Sequence, residues 1–437
     1  MARLTGPAFV FEGLPTAWRV LFGIALVVVC AMFVWTFLLF VRGGWSRRHP
    51  PDPVDPDDWL WVFLVPALNE EVTICDSVER LLAVQCAHRR IVVIDDGSDD
   101  GTAERVAAIG HPDLHVLHRD LPDARLGKAA ALNGAYRHLD GLLDGWSRDR
   151  VIVVVVDADG RLHPDSPRFA AAHFCDPVVG GVQSLVRIYN RGHLLTWFQD
   201  VEFSVYGCLY QSGRNAWGTA GMGGNGQFNR VAALDAVCDH EGPWRDRLTE
   251  DQDLGLRLLG AGWAGRQDLR AVVDQQGLSS LRALYRQRTR WAQGNLQAMD
   301  HVREVWRAHV TRVARVEQLA YLLIPIWQAF IGVTLIVALV LAFTGEAAFW
   351  GDGPWWQLVF FYLLGFGGVI MGCISRGAHR GWRGILGGVA VAQVYAFYTW
   401  LLWPVLLRAG VRQLVDRRDW AKTQREPIGL PAPGADT

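Results

Sequence analysis

The chain has 437 residues, of which 51% are hydrophobic and 20% are charged, and its formal net charge is −1. Its mean hydropathy of +0.12 is too high for an ordinary soluble enzyme of this length and too low for a chain that lies in the membrane throughout. We therefore predict one soluble domain with a few membrane spans, and the near-neutral charge gives no reason to expect nucleic acid as a partner.

The first predicted element is a membrane helix. Val20–Val41 carries no charge over the length that a helix needs to cross the hydrocarbon core. The run is too long for a cleaved signal peptide, and Arg42, Arg47 and Arg48 follow it as a stop signal. These arginines place the next domain in the cytoplasm by the positive-inside rule, so residues 1–50 are assigned to this helix and its stop-transfer signal.

A soluble α/β domain is predicted over residues 57–280, after a linker rich in proline and aspartate. Short β-branched runs that are typical of buried parallel strands alternate with segments of helical spacing. The strands are Trp61–Val65, Ile91–Ile94, Leu114–Leu117 and Val151–Val156, and the helices are Val72–Val84, Thr102–Ile109 and Lys128–Leu139. This alternation predicts a doubly wound, mostly parallel sheet that binds its ligands at the carboxyl ends of the strands.

Polar side chains follow three of these strands at that end: Asn69 and Glu70, Asp95 and Asp96, and Asp157 and Asp159. Asp157 and Asp159 are one residue apart at the end of a strand, so we expect them to point the same way. Carboxylate oxygens suit Mg²⁺ or Mn²⁺ that bridges two phosphates. The structural alternative is a turn or N-cap before the next helix.

Two further positions are candidates for holding a nucleotide. Asp95 or Asp96 can present a carboxylate to the imide N–H of uracil, and the alternative is an Asx turn. Lys128 opens a predicted helix, where an ammonium and a helix N-terminus together favour a phosphate. A solvated lysine in a first helical turn is the alternative.

Asp251 is the candidate general base, with Glu250 beside it. Sugar transfer with inversion needs one group that takes the proton of the attacking hydroxyl. The alternative is that Thr249 or Glu250 caps the helix that runs through Leu259, because acidic residues are favoured in a first turn.

Gln287, Arg290 and Trp291 have the spacing of one helix face. An arginine and an amide there can bind a diphosphate, and an indole can stack under a sugar ring. The alternative is a basic interfacial helix with a tryptophan anchor, and residues 281–315 are assigned to interfacial helices. The aromatic segment His193–Tyr210 fits either an interfacial helix or one that covers the sheet.

Three more uncharged stretches follow in residues 316–408: Leu319–Thr344, Trp355–Ser375 and Gly384–Leu407. The basic tail over residues 409–437 is predicted to be cytoplasmic, yet three crossings would leave it outside. Either one stretch does not cross fully, or a further crossing is hidden between Trp355 and Leu407. We expect a multi-pass protein of the plasma (inner) membrane with a cytosolic catalytic domain.

In this order, the motifs resemble the processive family 2 membrane glycosyltransferases, the synthases of cellulose, chitin, hyaluronan and poly-N-acetylglucosamine. The resemblance covers roughly Trp61 to Leu296. It implies a GT-A fold, a nucleotide-sugar donor, a divalent cation (Mg or Mn), inversion to a β-linkage and a channel beside the active site. The motifs are Val65–Glu71, Asp95–Ser98, Gly127–Asn133, Asp157–Asp159, Thr249–Asp251 and Gln287–Trp291.

The resemblance also implies a role for each matching residue. Asp95 or Asp96 and Lys128 would hold the nucleotide, together with Asn69 and Glu70. Asp159, with Asp157, would hold the metal, and Asp251 would be the base. Gln287, Arg290 and Trp291 would grip the diphosphate and the acceptor end. Trp420, Lys422, Thr423 and Arg425 are similar to a C-terminal motif of hyaluronan-type members that lies near the active site.

Gly221–Phe228 departs from the acceptor loops of that family. Its glycines let the backbone come close to a ligand, and Asn225 and Gln227 are expected to bind acceptor hydroxyls. The sugar and the linkage position are therefore left open by the sequence.

Three functions remain in view. The first is synthesis and translocation of a β-linked polysaccharide from a nucleotide sugar, with UDP as the expected nucleotide. The second is a single transfer to a lipid acceptor, and the third is a transporter or scaffold without catalysis. The third is disfavoured because the predicted spans carry no ionisable residue in their interiors. Expected partners are the donor, a growing glycan or lipid acceptor and membrane lipids; a homo-oligomer is neither predicted nor excluded.

Overall fold

The computed structural model describes residues 14–345 and 356–415, which form an α/β domain joined to long apolar helices. The C-terminal motif residues Trp420, Lys422, Thr423 and Arg425 lie outside the described residues.

The α/β domain is built on one eight-stranded sheet with the strand order β3-β2-β1-β4-β7-β6-β8-β5. In one half, β1 pairs in parallel with β2 and β4, and β2 pairs in parallel with β3, which confirms the predicted doubly wound arrangement. In the other half, β7 runs antiparallel between β4 and β6. The strands are β1 Leu60–Ala67, β2 Arg89–Asp95, β3 Leu114–His118, β4 Val151–Val155, β5 Arg161–Leu162, β6 Val179–Ile188, β7 Gln227–Arg230 and β8 Ala264–Gln275.

Strand β1 shows why the centre of the sheet is apolar throughout. Trp61, Phe63 and Val65 pack into the core on one face of the sheet. Leu60, Val62 and Leu64 pack into a separate core on the other face. Successive side chains of a strand point to opposite faces, so a strand covered on both faces reads as a continuous apolar run.

Helices cover both faces of the sheet, and the three that the sequence predicts are present as α2, α3 and α4. The first helix, α1, is long, with 33 residues, and a π-helical turn follows α6. The helices of this part are α1 Thr16–Arg48, α2 Ile74–Leu82, α3 Thr102–Ala107, α4 Lys128–Arg137, α5 Ser166–Phe174, α6 Leu194–Val205 with the π turn Tyr206–Gln211, α7 Ser212–Arg214, α8 Val231–Ala236 and α9 Glu250–Gly260.

The remaining helices lead from the domain into apolar segments. They are α10 Leu281–Gln297, α11 Val302–Arg307, α12 Arg312–Leu322, α13 Ile324–Phe343, α14 Trp356–Gly377, α15 Gly381–Leu402 and α16 Pro404–Leu414. Among the described residues, three stretches are long and apolar enough to cross a membrane: Thr16–Arg48, Ile324–Phe343 and Val359–Leu414.

The third stretch is not one straight helix. The chain turns at Gly381, which has a φ of +65°, and α15 packs back along α14. Glycines on both helices allow the close approach: a Cβ added to Gly388 would lie 2.6 Å from the carbonyl oxygen of Cys373.

Helices α14 and α15 are each tied to α6 by a side-chain contact. Arg376, just before the turn, lies 3.0 Å from the carboxylate of Asp200, and the Tyr398 hydroxyl donates to Glu202 at 2.8 Å. The main-chain N–H of Ile188 in β6 donates to Asp200, so α6 belongs to the α/β domain. The segment His193–Tyr210 thus covers the sheet on one side and contacts the apolar helices on the other, and its position at a membrane surface stays a prediction.

Candidate active site

A pocket of about 770 Å³ lies at the carboxyl ends of β1 and β4. It collects most of the residues that the sequence singles out, although they come from distant parts of the chain. Those that line it are Glu70, Asp96, Lys128, Asp157, Asp159, Asn225, Glu250, Asp251, Gln287, Arg290 and Trp291.

Asp157 and Asp159 line the pocket, but they do not lie within a strand as expected. Strand β4 ends at Val155, so both residues lie in the turn that follows, and strand alternation does not orient them. The carboxylate of Asp157 lies 2.5 Å from the Lys128 ammonium. Asp159 is buried and accepts the main-chain N–H of Gln276 at 3.0 Å. Separate partners therefore hold the two carboxylates in place.

These two carboxylates fit a cation that is shared with a ligand. Among the described residues, no group of three His, Cys, Asp or Glu side chains could hold a metal ion. Mg²⁺ in such sites is bound by one or two carboxylates and completes its shell with phosphate oxygens and water. Because both donors are hard oxygens, Asp157 and Asp159 fit Mg²⁺ or Mn²⁺ held jointly with a diphosphate.

The sequence leaves a nucleotide contact and an Asx turn open for Asp95 and Asp96, and the two residues have different surroundings. Asp95 holds a turn, because its carboxylate accepts the main-chain N–H of Ser98 at 3.0 Å and contacts His118. Asp96 lines the pocket, and its carboxylate is paired with the guanidinium of Arg119. Burial raises the pKa of Asp96, and Arg119 offsets part of this effect. Asp96 is therefore the carboxylate that can bind a nucleobase in the pocket.

Asn69 and Glu70 are also separated by the fold. Asn69 is exposed, has a φ of +53° and binds Asp99 through its side chain, with 2.6 Å between Nδ2 and Oδ1. It is not among the described residues that line the pocket, so its expected contact with a nucleotide is replaced by a role in the turn. Glu70 lines the pocket and accepts the Thr73 hydroxyl at 3.2 Å.

Lys128 links the two acidic motifs. Its ammonium lies 2.5 Å from the Gly224 carbonyl oxygen and 3.9 Å from a carboxylate oxygen of Glu250, in addition to its contact with Asp157. Burial disfavours the charged form, but the carboxylates of Asp157 and Glu250 outweigh it and raise the pKa of Lys128. The pocket therefore holds a permanent positive charge between its two carboxylate groups.

The glycine-rich loop passes directly between Lys128 and the candidate base. A Cβ added to Gly224 would lie 3.3 Å from the Lys128 nitrogen and 3.4 Å from Asp251 Oδ2. The amide of Gln183 holds the loop from behind, because it accepts from Gly223 N–H and donates to the Asn225 carbonyl, both at 2.8 Å. The backbone thus approaches the site as closely as the glycines suggest.

The two polar side chains of this loop behave differently. Asn225 lines the pocket, and its side-chain oxygen accepts the main-chain N–H of Asp157 at 3.1 Å. Gln227 is fully buried in β7, where its side chain accepts from Asn229. The expectation that Gln227 contacts an acceptor is wrong, because its position in the sheet turns it away from the pocket.

Glu250 and Asp251 lie in the first turn of α9, where the helix dipole favours carboxylates. Thr249 makes no side-chain capping hydrogen bond to this helix, so N-capping by Thr249 does not account for the motif. The pKa of Glu250 is raised to about 7, first because of its burial and then because Asp251 lies beside it. Burial likewise raises the pKa of Asp251. A buried carboxylate whose pKa is raised toward the working pH suits a general base.

Helix α10 presents Gln287, Arg290 and Trp291 to the same pocket. Arg290 donates to the carbonyl oxygen of Leu248 at 3.1 Å and so reaches the segment that carries the base. The guanidinium of Arg288 lies 4.1 Å from the centre of the Trp291 ring and holds the indole in place.

Sequence reasoning missed several residues that build this pocket. Gln183 and Ser184 are buried polar residues in strand β6, and two such side chains in a buried part of a strand are the signal that could have revealed Gln183. No local pattern marks Arg119, Tyr206 or Tyr321, because their partners are distant in the chain.

The family model described as "Glycosyltransferase like family 2" matches residues 60–294, which is more than half of the chain. The chain belongs to glycosyltransferase family 2. The matched region contains every strand of the sheet and all of the described motifs. This glycosyltransferase therefore has the GT-A-like fold of its family, with apolar helices that are long enough to span a membrane.

Two curated relatives of this glycosyltransferase are named for different products. The poly-beta-1,6-N-acetyl-D-glucosamine synthase of Staphylococcus aureus (strain COL) is 30% identical over 260 residues, which are 58% of this chain and 59% of the relative. The beta-monoglucosyldiacylglycerol synthase of Synechocystis sp. is 31% identical over 241 residues, which are 54% of this chain and 47% of the relative. The chain therefore matches only about half to three fifths of the length of these relatives.

A solved structure has the same overall fold. The mannosyltransferase from Pyrobaculum calidifontis, in complex with GDP-Man and Mn²⁺, superposes with a TM-score of 0.61 at 22% sequence identity. The alignment covers 91% of this chain and 100% of that protein, so the likeness extends beyond the α/β domain to the apolar helices.

Proposed function

We propose that this glycosyltransferase moves a sugar from a nucleotide diphosphate, with UDP as the nucleotide, to an acceptor hydroxyl with inversion of the anomeric carbon. One observation carries the proposal. Lys128 contacts the carboxylate of Asp157 at 2.5 Å and lies 3.9 Å from that of Glu250, so the candidate cation site and the candidate base share one pocket. A donor and an acceptor can therefore meet between the candidate cation site and the candidate base.

In the proposed reaction, the base and the leaving group work from opposite sides of the sugar. Asp251 takes the proton of the acceptor hydroxyl while the oxygen of that hydroxyl bonds to the anomeric carbon. The bond from that carbon to the diphosphate oxygen breaks, and its electron pair leaves with the nucleotide diphosphate. Lys128 and Arg290 stabilise the negative charge that develops there, as preorganised cations do in a buried site. Trp291 offers a flat surface beneath a sugar ring.

Two groups would hold the rest of the donor. Asp96, oriented by Arg119, would accept the imide N–H of uracil. Asp157 and Asp159 would hold a divalent cation, Mg²⁺ or Mn²⁺, which neutralises the diphosphate as it leaves. The complex of the mannosyltransferase from Pyrobaculum calidifontis with GDP-Man and Mn²⁺ is consistent with a cation of this kind.

Repeated transfer, which gives a β-linked polysaccharide that crosses the membrane, is the first candidate for the overall activity. The relative that makes poly-β-1,6-N-acetylglucosamine supports it. A single transfer to a lipid acceptor is the second candidate, and two observations favour it. One relative is named for a glucosylated diacylglycerol, and, within residues 14–345 and 356–415, no residue of α1, α13, α14 or α15 lines the pocket.

The pocket is proposed to face the cytoplasm, with α1, α13 and α14 crossing the membrane. Arg376, near the end of α14, and Tyr398, in α15, both bind side chains of α6, which belongs to the α/β domain, and these contacts support a position of α15 on the inner side. If α15 stays on the inner side, the basic C-terminal tail is cytoplasmic, as the positive-inside rule requires. The proposal thus corresponds to the first of the two options that the sequence leaves open, in which one apolar stretch does not cross fully.

The test is a panel of nucleotide sugars given to the protein purified in detergent, with Mg²⁺ or Mn²⁺, followed by sizing and linkage analysis of the product. We expect one sugar nucleotide to be consumed only with a divalent cation. A ladder or high polymer supports the first candidate, and a single glycolipid supports the second.

Asp251→Asn is the matched variant for this assay. We expect a loss of about 10²- to 10⁴-fold in kcat, which is the usual contribution of a general base, with donor binding retained. Asp300→Asn, at an exposed carboxylate outside the pocket, serves as the control. Full activity of Asp251→Asn would refute the assigned base, and no consumption of any donor would refute the proposed function.

A further inference from the structure

A buried histidine lies where the segment after α10 meets the helix of the candidate base. His301 ends the short 3₁₀ turn Ala298–His301 between α10 and α11, and it is 3% exposed. Its Nε2 lies 2.7 Å from a carboxylate oxygen of Asp253, and its Nδ1 lies 2.6 Å from a carboxylate oxygen of Glu304. Asp253 belongs to α9 and follows the candidate base Asp251 by two residues.

These two contacts define the charge of the ring. A neutral imidazole donates a hydrogen bond from one nitrogen and accepts one at the other, whereas an ionised carboxylate only accepts. Both contacts are therefore hydrogen bonds only when both ring nitrogens carry a proton. A neutral His301 would turn a lone pair toward Asp253 or Glu304. The geometry thus describes an imidazolium held between two carboxylates.

The carboxylate of Asp253 has further charged partners. Nε of Arg257, one turn along α9, donates to it at 2.7 Å. Nε of Arg247, in the segment before α9, lies 3.8 Å from it, and this guanidinium also contacts the exposed Asp300 at 3.1 Å. Arginine stays protonated at any pH that an enzyme assay uses. His301 is therefore the partner of Asp253 whose charge can change above neutral pH.

The surroundings also determine when this change takes place. Burial favours the neutral ring, but the hydrogen bonds to Asp253 and Glu304 outweigh it and raise the pKa of His301. For Asp253, burial is outweighed by His301 and Arg257, which lower its pKa. Since the pKa of His301 is raised, its contribution is complete below the ordinary histidine value of 6.5 and is lost as the pH rises through the raised value.

Asp253 connects this cluster to the first turn of α9. Its main-chain N–H donates to the Thr249 carbonyl at 3.1 Å, which closes the turn that carries Asp251. Residues two apart on a helix do not share a face. Asp251 accordingly lines the pocket, whereas Asp253 contacts His301. A contact on the back of the turn therefore fixes the direction in which its front faces the pocket.

We propose that the imidazolium of His301 is a positioning residue for the base: through Asp253 it fixes the rotation of the first turn of α9 and so the direction of the Asp251 carboxylate. The inference rests on the proposed function, in which Asp251 receives the acceptor proton. Ionisation of a general base alone makes the rate rise with pH and then level off. Loss of the His301 proton removes one of its two hydrogen bonds, so the plateau should end in a fall at alkaline pH.

The experiment measures kcat across neutral and alkaline pH, as release of the nucleotide diphosphate from the donor found in the panel. Glu304→Gln removes one negative partner of the ring, so the alkaline fall should move to lower pH by about one pH unit. The Glu304 side chain is 52% exposed, so its replacement leaves the fold intact. Glu241→Gln is the matched control and should not move the fall, because Glu241 also lies beside a histidine, His240, but both are exposed.

His301→Gln tests the ring itself. Glutamine carries no charge at any pH, so kcat should fall about tenfold at neutral pH, as expected for a displaced catalytic group, and the alkaline fall should disappear. The donor dissociation constant, measured by isothermal titration, should be unchanged, since no contact of His301 reaches the residues proposed to hold the donor.

Three results would overturn the positioning role and leave sugar transfer itself intact. They are a wild-type rate that stays level at alkaline pH, a fall that Glu304→Gln does not move, and wild-type kcat in His301→Gln. If His301→Gln fails to bind the donor, the shift in Glu304→Gln decides the question alone. If no donor is consumed at any pH, the proposed function fails as well.

Discussion

Lys128 is an unusual residue in this chain. The sequence holds 43 basic residues, and only two of them, Lys128 and Lys422, are lysines. An ammonium is a compact point charge, whereas a guanidinium is a wide, planar fork. The space that Lys128 fills is narrow, because the Asp157 carboxylate and the Gly224 carbonyl each lie 2.5 Å from its nitrogen. This position requires a lysine for a steric as well as an electrostatic reason.

The first prediction follows from this geometry. Lys128→Met should weaken donor binding by about 10- to 100-fold, since one hydrogen bond to a charged group is worth about 1.5–3 kcal/mol. Lys128→Arg should fail to restore binding, because the fork does not fit between Gly224 and Asp157. Isothermal titration with the nucleotide diphosphate measures both. Arg137→Met, at an exposed position of the same helix, is the control, and wild-type affinity in Lys128→Arg would contradict the steric argument.

Glu250 and Asp251 are the residues from which the second prediction follows. They are adjacent and buried, and the positive groups that act on them are Lys128 and Arg290. Because two neighbouring carboxylates resist full ionisation in a buried site, the pair holds a proton at a pH where an isolated carboxyl would have lost it.

The second prediction is a pH profile. The base acts when it is unprotonated, so kcat/KM should rise with pH, bend at the raised pKa of Asp251, and then level off. In Glu250→Gln, the like charge is gone and the bend should move to lower pH. Glu241→Gln, at an exposed side chain, should leave the profile unchanged. A bend that stays in place in Glu250→Gln would show that the two carboxyls are not coupled.

At the scale of elements, one face of α10 and of the turn after it holds the segment that carries the candidate base Asp251. Arg290 donates to the Leu248 carbonyl at 3.1 Å, and the side chain of Gln297 accepts the Leu248 N–H at 3.3 Å. One turn further, His301 lies 2.7 Å from the carboxylate of Asp253 in α9. Residues 290, 294, 297 and 301 have the i, i+4, i+7 and i+11 spacing of a single stripe, so the helix with the diphosphate motif positions the helix with the base.

Gly294 is the closest point of this contact and supplies the third prediction. A Cβ there would lie 2.5 Å from the side chain of Thr249, so Gly294→Ala must displace the segment that precedes the base. Alanine favours a helix over glycine by about 1 kcal/mol, so α10 itself should persist. We expect kcat to fall at least tenfold, with donor affinity nearly unchanged, since a small displacement of a catalytic group is costly.

The matched control for this substitution is Gly260→Ala. Gly260 ends α9, the helix of the base, and an added Cβ would have no atom within 4 Å among the described residues. It should retain the activity of the wild type. Equal kcat values for the two variants, measured by release of the nucleotide diphosphate, would refute the positioning role of α10.

At the scale of the whole molecule, the arrangement of the apolar helices depends on where α15 lies. Its outer surface is apolar and exposed, as at Trp382, Leu386 and Phe397, whereas Tyr395 and Tyr398 are buried against other helices. The Phe198 ring stacks on Tyr398 with 5.1 Å between their centres. Helix α15 therefore packs one face against the other helices and leaves an apolar face exposed.

The fourth prediction concerns the sides of the membrane. In the proposed arrangement, Arg380→Cys and Arg408→Cys are both labelled by an impermeant maleimide from the cytoplasmic side, and Thr344→Cys only from the opposite side. Exposed native Cys175 and Cys238 are first replaced by serine to lower the background. Labelling of Arg380→Cys and Arg408→Cys from opposite sides would show that α15 crosses the membrane.

The sequence alone determined the class of the protein and the first half of its sheet. Runs such as Val151–Val155 are buried on both faces, and this leaves a local apolar signature that predicts a central parallel strand. The motifs at the strand ends were visible for a related reason. A carboxylate directly after a buried strand is costly without a charged partner, so its presence already points to one.

The tertiary structure alone decided which member of each motif faces the pocket. Asp95 and Asp96 are neighbours in sequence, yet one holds a turn and the other lines the site; Asn225 lines the pocket, whereas Gln227 is buried in the sheet. These outcomes depend on where β4 ends and on partners such as Arg119 and Gln183. The pairing of Tyr206 with Tyr321 and the path of α15 also arise from contacts more than 100 residues apart, and such contacts leave no periodic trace in the chain.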